Sequence, residues 1–193
     1  LICNGDGTFT FKEVDWDAMT AGDSTLAPPP SFIGRPINGM YFSNQRFSLL
    51  SGDSIIRSGT GAFFNFFRTT MTTLLDSDPI DYKVSHTKVS NLKNAVAYDE
   101  KVIIVSEQTQ FVAQGDTPKT FSVDPSTEFE CSPLCAPVGA GRNVYFAFTN
   151  GEGDASGFDG IREYSVDRST DNKDAIDITA QVPKYIPNGT FKL

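Results

Sequence analysis

The sequence holds a single histidine, three cysteines and one tryptophan, and no run of lysine and arginine anywhere in its 193 residues. Each shortage excludes something. His86 lies in the polar stretch from Ser85 to Lys88, with no cysteine or carboxylate at triad-like spacing, so a surface-loop position is expected rather than a general base. Cys131-Ser-Pro-Leu-Cys135 lacks both CxxC spacing and a second ligand pair. Free thiols in a protein made in a reducing compartment are therefore expected, and no cofactor or metal. With a net charge of −8 and no basic cluster, no surface is equipped to neutralise phosphates. No apolar run approaches the ~20 residues that span a bilayer, and no signal-like segment opens the chain, so no membrane insertion is expected. The first residue is Leu1, and Leu1-Ile-Cys3 reads as if begun in mid-strand, which points to a piece of a longer parent chain. No segment supports a helix longer than three turns.

What is present is β-structure. A chain of this length with 39% hydrophobic residues and 16 phenylalanines can bury a core of its own. Lys101-Val-Ile-Ile-Val-Ser106, the polar pair Glu107-Gln108 and Thr109-Gln-Phe-Val-Ala113 spell two strands and a tight turn. The same grammar occurs in Arg46–Ser51, Gly52-Asp53 and Ser54–Arg57. A third copy runs from Asn143–Thr149 through a Gly/Asp-rich loop to Ile161–Val166. A lone hairpin is marginal in water, so each needs neighbours. The units recur at intervals of about 40 to 55 residues, close to the period of propeller blades. The fold class expected is all-β: antiparallel sheets in β-propeller-like blades, partial or whole, with little helix. Any antiparallel β-protein also shows hairpins at intervals, and the pattern alone leaves both readings open.

In chain order, Leu1 to Trp16 reads as a hairpin turning at Asn4-Gly-Asp-Gly7, with Phe9-Thr-Phe11 as an alternating strand. A calcium loop ending at Glu13 would need Ile2 as its first ligand, which excludes it. Ala18 to Pro30 reads as a stiff linker, dividing residues 1–30, an incomplete N-terminal portion, from a repeat domain over 31–193. Gly61 to Leu75, with Phe63, Phe64, Phe66 and Phe67, is expected as a helical turn or an irregular loop that drops aromatics into the core. Ile80 to Ser85 and Leu92 to Tyr98 read as strands. Thr117–Val123 and Ser126–Cys131 read as two short strands around Asp124-Pro125. Gly139-Ala-Gly141 reads as a turn, and Ile176 to Leu193 as a last strand or exit linker.

The acidic residues offer three candidate sites. Asp76, Asp78 and Asp81 crowd one loop, but Asp and Ser before Pro is also ordinary turn chemistry. On a strand, Glu128 and Glu130 would share a face about 7 Å apart. That lies within the roughly 5 to 9.5 Å separating glycosidase carboxylates. Glu152, Asp154 and Asp159 lie on the Gly151–Gly160 loop, which could bind calcium adventitiously or contact a neighbouring subunit or fibre. A polysaccharide-binding or polysaccharide-degrading module is thus the alternative to a structural role.

Several stretches together resemble the tail tubular protein B, or tail nozzle, family of short-tailed bacteriophages. They are Gly22-Asp23, Pro30-Ser-Phe32 with Gly34, Arg46–Ile56, Phe64-Asn-Phe66, Leu74–Asp81 (LLDSDPID), Leu92–Val96 and Ser106–Phe111 (SEQTQF). Glu130–Pro133, Pro137–Gly139, Gly141–Phe146, Gly160–Tyr164 and Val182–Pro187 continue the series, so coverage runs from about Trp16 to the end. Ala18-Met19 departs from it where an arginine is expected. The resemblance implies a β-propeller-like domain in a hexameric tube below the portal and its adaptor (gatekeeper) ring. Duplex DNA leaves through such a tube without specific binding, and tail fibres attach around it. The implied setting is the virion tail, after assembly in the host bacterial cytoplasm. The family brings no catalytic residues to carry over, so no enzyme activity is expected.

Overall fold

The computed structural model describes residues 1–87, 91–98, 100–150, 157–167 and 172–193. Among them are fifteen strands and no helix, and every strand pair is antiparallel. β1 (Ile2–Cys3) and β2 (Phe9–Thr10) form an N-terminal hairpin. The remainder forms three sheets. The first holds β3 (Gly39–Ser43), β4 (Arg46–Ser51), β5 (Ser54–Arg57) and β6 (Ile80–Lys83). The middle sheet holds β7 (Leu92–Tyr98), β8 (Lys101–Ser106), β9 (Gln110–Gln114) and β10 (Ser122–Thr127). The third holds β11 (Val138–Ala140), β12 (Asn143–Asn150), β13 (Phe158–Asp167) and β14 (Asn172–Asp177), with β15 (Ile186–Pro187) paired to β13. In each sheet four consecutive strands follow chain order, the up-and-down pattern of a propeller blade.

Successive side chains of a strand point to opposite faces, and that rule explains the stack. From β8, Val102 and Ile104 enter one core with Leu50, Ile55 and Ile80 of the first sheet, while Ile103 and Val105 enter another with Val144, Phe146 and Tyr164 of the third. The middle sheet is buried on both faces. Its central strand therefore reads as an unbroken apolar run instead of an alternation. In the first sheet Leu49 and Ile56 face away from the middle sheet and are capped by Phe66, with Phe32 and Phe47 at the margin.

The first strands lie side by side, β3 against β7 and β7 against β11. Backbones meet closely there: a Cβ on Gly39 would stand 2.3 Å from the Lys93 carbonyl oxygen, and one on Gly139 would stand 3.3 Å from that of Ala97. Glycine at Gly39 is thus required by close approach.

The segment 60–75 is irregular and carries no helix; it delivers Phe66 to the first sheet's outer core and leaves Phe63 and Phe64 partly exposed. Trp16 docks on the same side, with ring centroids 5.7 Å from Phe66, 5.9 Å from Phe64 and 6.1 Å from Phe32. The segment read as a stiff extended linker instead makes turns and buries Ala27 and Pro30.

Two further expectations need correction. Asp124-Pro125 does not separate two strands; both residues lie inside β10, and residues 117–120 form a turn. β10 is an edge strand, where the missing proline N–H costs no ladder bond, and the register shifts just after Pro125. Val138-Gly-Ala140 is a strand, with only Gly141 (φ +62°) left to the turn. The C-terminal residues hold the expected last strand, β15, and the Asp159 carboxylate accepts a hydrogen bond from the Thr190 backbone N–H at 2.6 Å.

Candidate functional site: two stapled loops and the clefts beside them

Two buried polar side chains organise the connections at the ends of the sheets. Arg46 opens β4 and is fully buried. Its Nη1 donates to the carbonyls of Ser58 and Asp78, each at 2.7 Å, and its Nη2 donates to that of Asp76, also at 2.7 Å. One guanidinium thus ties together both ends of the long β5–β6 connection. A planar fork with five donors suits this, because carbonyl lone pairs away from a ladder need partners when buried. Burial pulls the Arg46 pKa down, and the nearby Arg57 charge adds to that against Asp116 and Asp78. Arg57 donates to Gly115 O at 3.0 Å and Ser43 O at 3.2 Å and lies over the Phe121 ring, bridging the first and middle sheets.

Gln110 plays the same part at the other end. Its Nε2 donates to Phe129 O at 2.8 Å, while its Oε1 accepts from Thr127 Oγ1 at 2.8 Å and Phe129 N at 3.2 Å. Onward from there the chain crosses to the third sheet, with Cys131 N bonded to Glu107 O at 3.0 Å and Ser132 N to Ala147 O at 2.7 Å.

A cleft lies beside each staple. The first, about 490 Å³, is lined by Asn44, Gln45, Thr60, Asp76, Ser77, Asp116 and Thr117. Asn44 and Gln45 have φ of 50° and 55°, the left-handed pair of a two-residue I′ hairpin turn. Gln45 is an uncommon residue there; its carbonyl is fixed by the Gly61 N–H at 2.9 Å, and Asn44 donates to the Asp116 carboxylate. The second cleft, about 310 Å³, is lined by Glu107, Gln108, Glu130, Cys131, Ser132, Pro133 and Thr149.

The candidate carboxylates do not converge. Asp76 is exposed at the first cleft, 3.8 Å from Lys119. Asp78 is buried, accepting from Leu75 N at 2.9 Å and facing Arg68 at 3.5 Å, and Asp81 accepts from Ser31 N at 2.7 Å. Glu128 and Glu130 follow β10 in an irregular connection, so the shared strand face on which their spacing was argued does not exist. Glu128 lies 3.5 Å from His86, while Glu130 lines the second cleft. His86 is no solvated loop residue: its imidazole meets the buried Phe111 ring edge-on at 5.7 Å. Asp159 is buried on β13, accepting from Thr149 Oγ1 as well as Thr190 N; Glu152 and Asp154 lie outside the described residues. In the N-terminal turn Asp6 accepts from the hydroxyl and N–H of Thr8, which hold its carboxyl below the usual range. Among the described residues no three His, Cys, Asp or Glu side chains are placed to hold a metal ion, and no helix is long and apolar enough to cross a membrane.

Cys131 and Cys135 are buried thiols. Burial pushes Cys131 up to about 12, with the nearby Cys135 adding to the shift, and raises Cys135 as well.

Arg46, Gln110 and Trp16 are what sequence reasoning missed as organising residues. Arg46 was visible as the basic residue opening a repeated strand, and Gln110 as a residue of the Thr109–Ala113 strand and the SEQTQF stretch, neither with a stapling role. The blocks that carry the family resemblance, LLDSDPID and SEQTQF, prove to be the two stapled regions.

The bacteriophage nozzle protein family model matches residues 1–193. The chain is 41% identical over 197 residues to the tail tubular protein gp12 of Escherichia phage T7, an alignment that takes in 100% of this chain and 24% of that relative. The chain therefore spans about a quarter of the length of the curated relative it matches. With a family match from the first residue to the last, this chain belongs to the bacteriophage nozzle protein family.

Proposed function

We propose that this chain is part of a structural virion protein that assembles into the hexameric nozzle of a short phage tail. The match over residues 1–193 carries that reading. In it, the ring sits below an adaptor protein, passes duplex DNA without gripping it, and offers its outer surface to tail fibres. Two physical features support it. A net charge of −8 denies DNA the counterion release that makes basic surfaces hold phosphates, which suits a wall that DNA must slide past. Both end sheets also present apolar residues outward, Met40 and Phe42 on the first and Val138 and Ile176 on the third. Sheets of this kind bury such faces against further sheets, so the blade stack continues in the longer protein. Assembly takes place in the bacterial cytoplasm before the tail is complete.

Electron microscopy of the full-length protein, alone and with its adaptor ring, tests this reading. Six copies around an axial hole wide enough for duplex DNA are expected. A protein that stays monomeric in both samples would overturn it.

A further inference from the structure

The N-terminal hairpin is amphipathic and nothing among the described residues covers its dry face. Register places Cys3 opposite Phe9 on one face, and alternation adds Leu1 and Phe11 to that face. Leu1 is 77% exposed, Phe9 64% and Phe11 89%. The other face carries one apolar residue, Ile2, opposite Thr10, beside an internally bonded polar set in which the Asn4 side-chain amide donates to the hydroxyls of Thr8 at 2.9 Å and Thr10 at 3.0 Å. Between hairpin and sheets runs an exposed stalk, residues 12–15, before Trp16 locks into the first sheet's aromatic cluster and Asp17 N donates to Phe64 O at 3.1 Å.

We propose that this hairpin belongs to a different β-layer from the three stacked sheets, and that its dry face is covered by another part of the same, longer polypeptide. The boundary between the two units then falls within the stalk, residues 12–15, and not at the prolines near residue 30, since Trp16 and Phe32 pack together. The inference rests on the longer parent chain of the proposed function. Four considerations select this occupant. A two-stranded hairpin is marginal in water without a further layer. Two phenylalanines and a leucine offer on the order of 400–500 Å², short of the ~800 Å² per partner of a stable complex between separate molecules. A tethered segment needs no such area, because its effective concentration is already high. The T7 relative, of which this chain matches 24%, shows that family members carry ample further polypeptide. The stalk and hairpin hold Asp6, Glu13 and Asp15 against Lys12, a balance that disfavours an anionic lipid surface.

Hydrogen exchange on the full-length protein, at a dilution where light scattering reports monomer, tests this. The amides bonded across β1 and β2 should be protected by at least about 100-fold over unstructured chain. The double substitution Phe9→Asp and Phe11→Asp should abolish that protection while leaving the β8–β9 amides unchanged. Protection that appears only in the assembled ring would assign the face to a second copy and overturn the proposal. Exchange at the unstructured rate in both monomer and ring would make the hairpin a solvated arm and overturn it equally. Because the decisive reading is taken on the monomer, it stands whether or not six copies form a ring.

Discussion

Two hairpins in this chain are written in the same language and end in opposite circumstances. β8–β9 and β1–β2 each pair short strands across a polar turn, and each places a phenylalanine on its second arm. Phe111 is fully buried between the first and middle sheets, whereas Phe11 is 89% exposed. The difference lies in the neighbours, because a hairpin acquires its stability from what covers its faces. Replacing each phenylalanine by alanine exposes that difference. Phe111→Ala removes a side chain packed on all sides and is expected to cost ~3–5 kcal/mol. Phe11→Ala in this 193-residue chain should stay within about 0.5 kcal/mol of the parent. Denaturant midpoints at unchanged m-value check both. Equal losses would mean that the N-terminal hairpin is packed after all.

The glycines sharpen the contrast at the level of backbone. Gly39 sits where β3 presses on β7, and the obstacle to a Cβ is the Lys93 backbone oxygen, which cannot swing aside as a side-chain tip could. Gly5, in the turn of the free hairpin, has nothing within 4 Å. Gly39→Ala should therefore cost about 1–3 kcal/mol through forced separation of the two sheets. For a domain of this size that is a fall in Tm of very roughly 2–12 °C. Gly5→Ala should leave Tm within a degree or two.

Legibility followed the same divide. β4, β5 and β7 occupy the residues their apolar runs mark out, because β-branched stretches between turn residues leave little choice of register. β10 was misread, since Asp-Pro is the chemistry of a turn and the sequence does not reveal that this strand lies at an edge. The stapling role of Arg46 was hidden for another reason. Its acceptors are backbone carbonyls 12, 30 and 32 residues away, and a carbonyl leaves no trace in residue identity. His86 went astray likewise: the polar residues beside it indicated solvent, and Phe111, its packing partner, is far along the chain. Local pattern fixed the strands, while edge position and long-range contacts had to come from the fold.

Cysteine chemistry gives a smaller and faster test of the two regions. Cys3 is exposed on the free hairpin, whereas Cys131 and Cys135 are buried beside the third sheet. The thiolate is the reactive species, and at pH 8 a thiol with a pKa of about 12 is ionised in only about one molecule in 10⁴. One thiol per chain should react promptly with a maleimide, the other two more than about 100-fold more slowly until denaturant is added. Two or three fast thiols would show that the crossing from the middle to the third sheet opens readily.

The smallest expected effect compares two turn carboxylates under acid. Asp53, between β4 and β5, is pushed up by partial burial, but the hydrogen bond and charge of Lys83, at 3.1 Å, outweigh that with help from Ser54 and hold it below the usual range. Asp6 is held down chiefly by Thr8, with help from its own backbone N–H, within the hairpin and in full contact with water. A carboxylate depressed in the folded state stabilises above its unfolded pKa, near 3.9, and loses that contribution as pH falls through the lower folded value. Asp53→Asn should therefore lower stability by a few tenths of a kcal/mol at pH 7, the scale of a solvated ion pair. The gap between variant and parent should stay constant down to about pH 5 and close below pH 4. Asp6 bonds only within a hairpin whose two strands pair with each other and with no other described strand, so Asp6→Asn should leave the midpoint of this 193-residue chain unmoved at every pH. A gap that persists unchanged at pH 3 would show that Asp53 acts through packing, and not through the charge of Lys83.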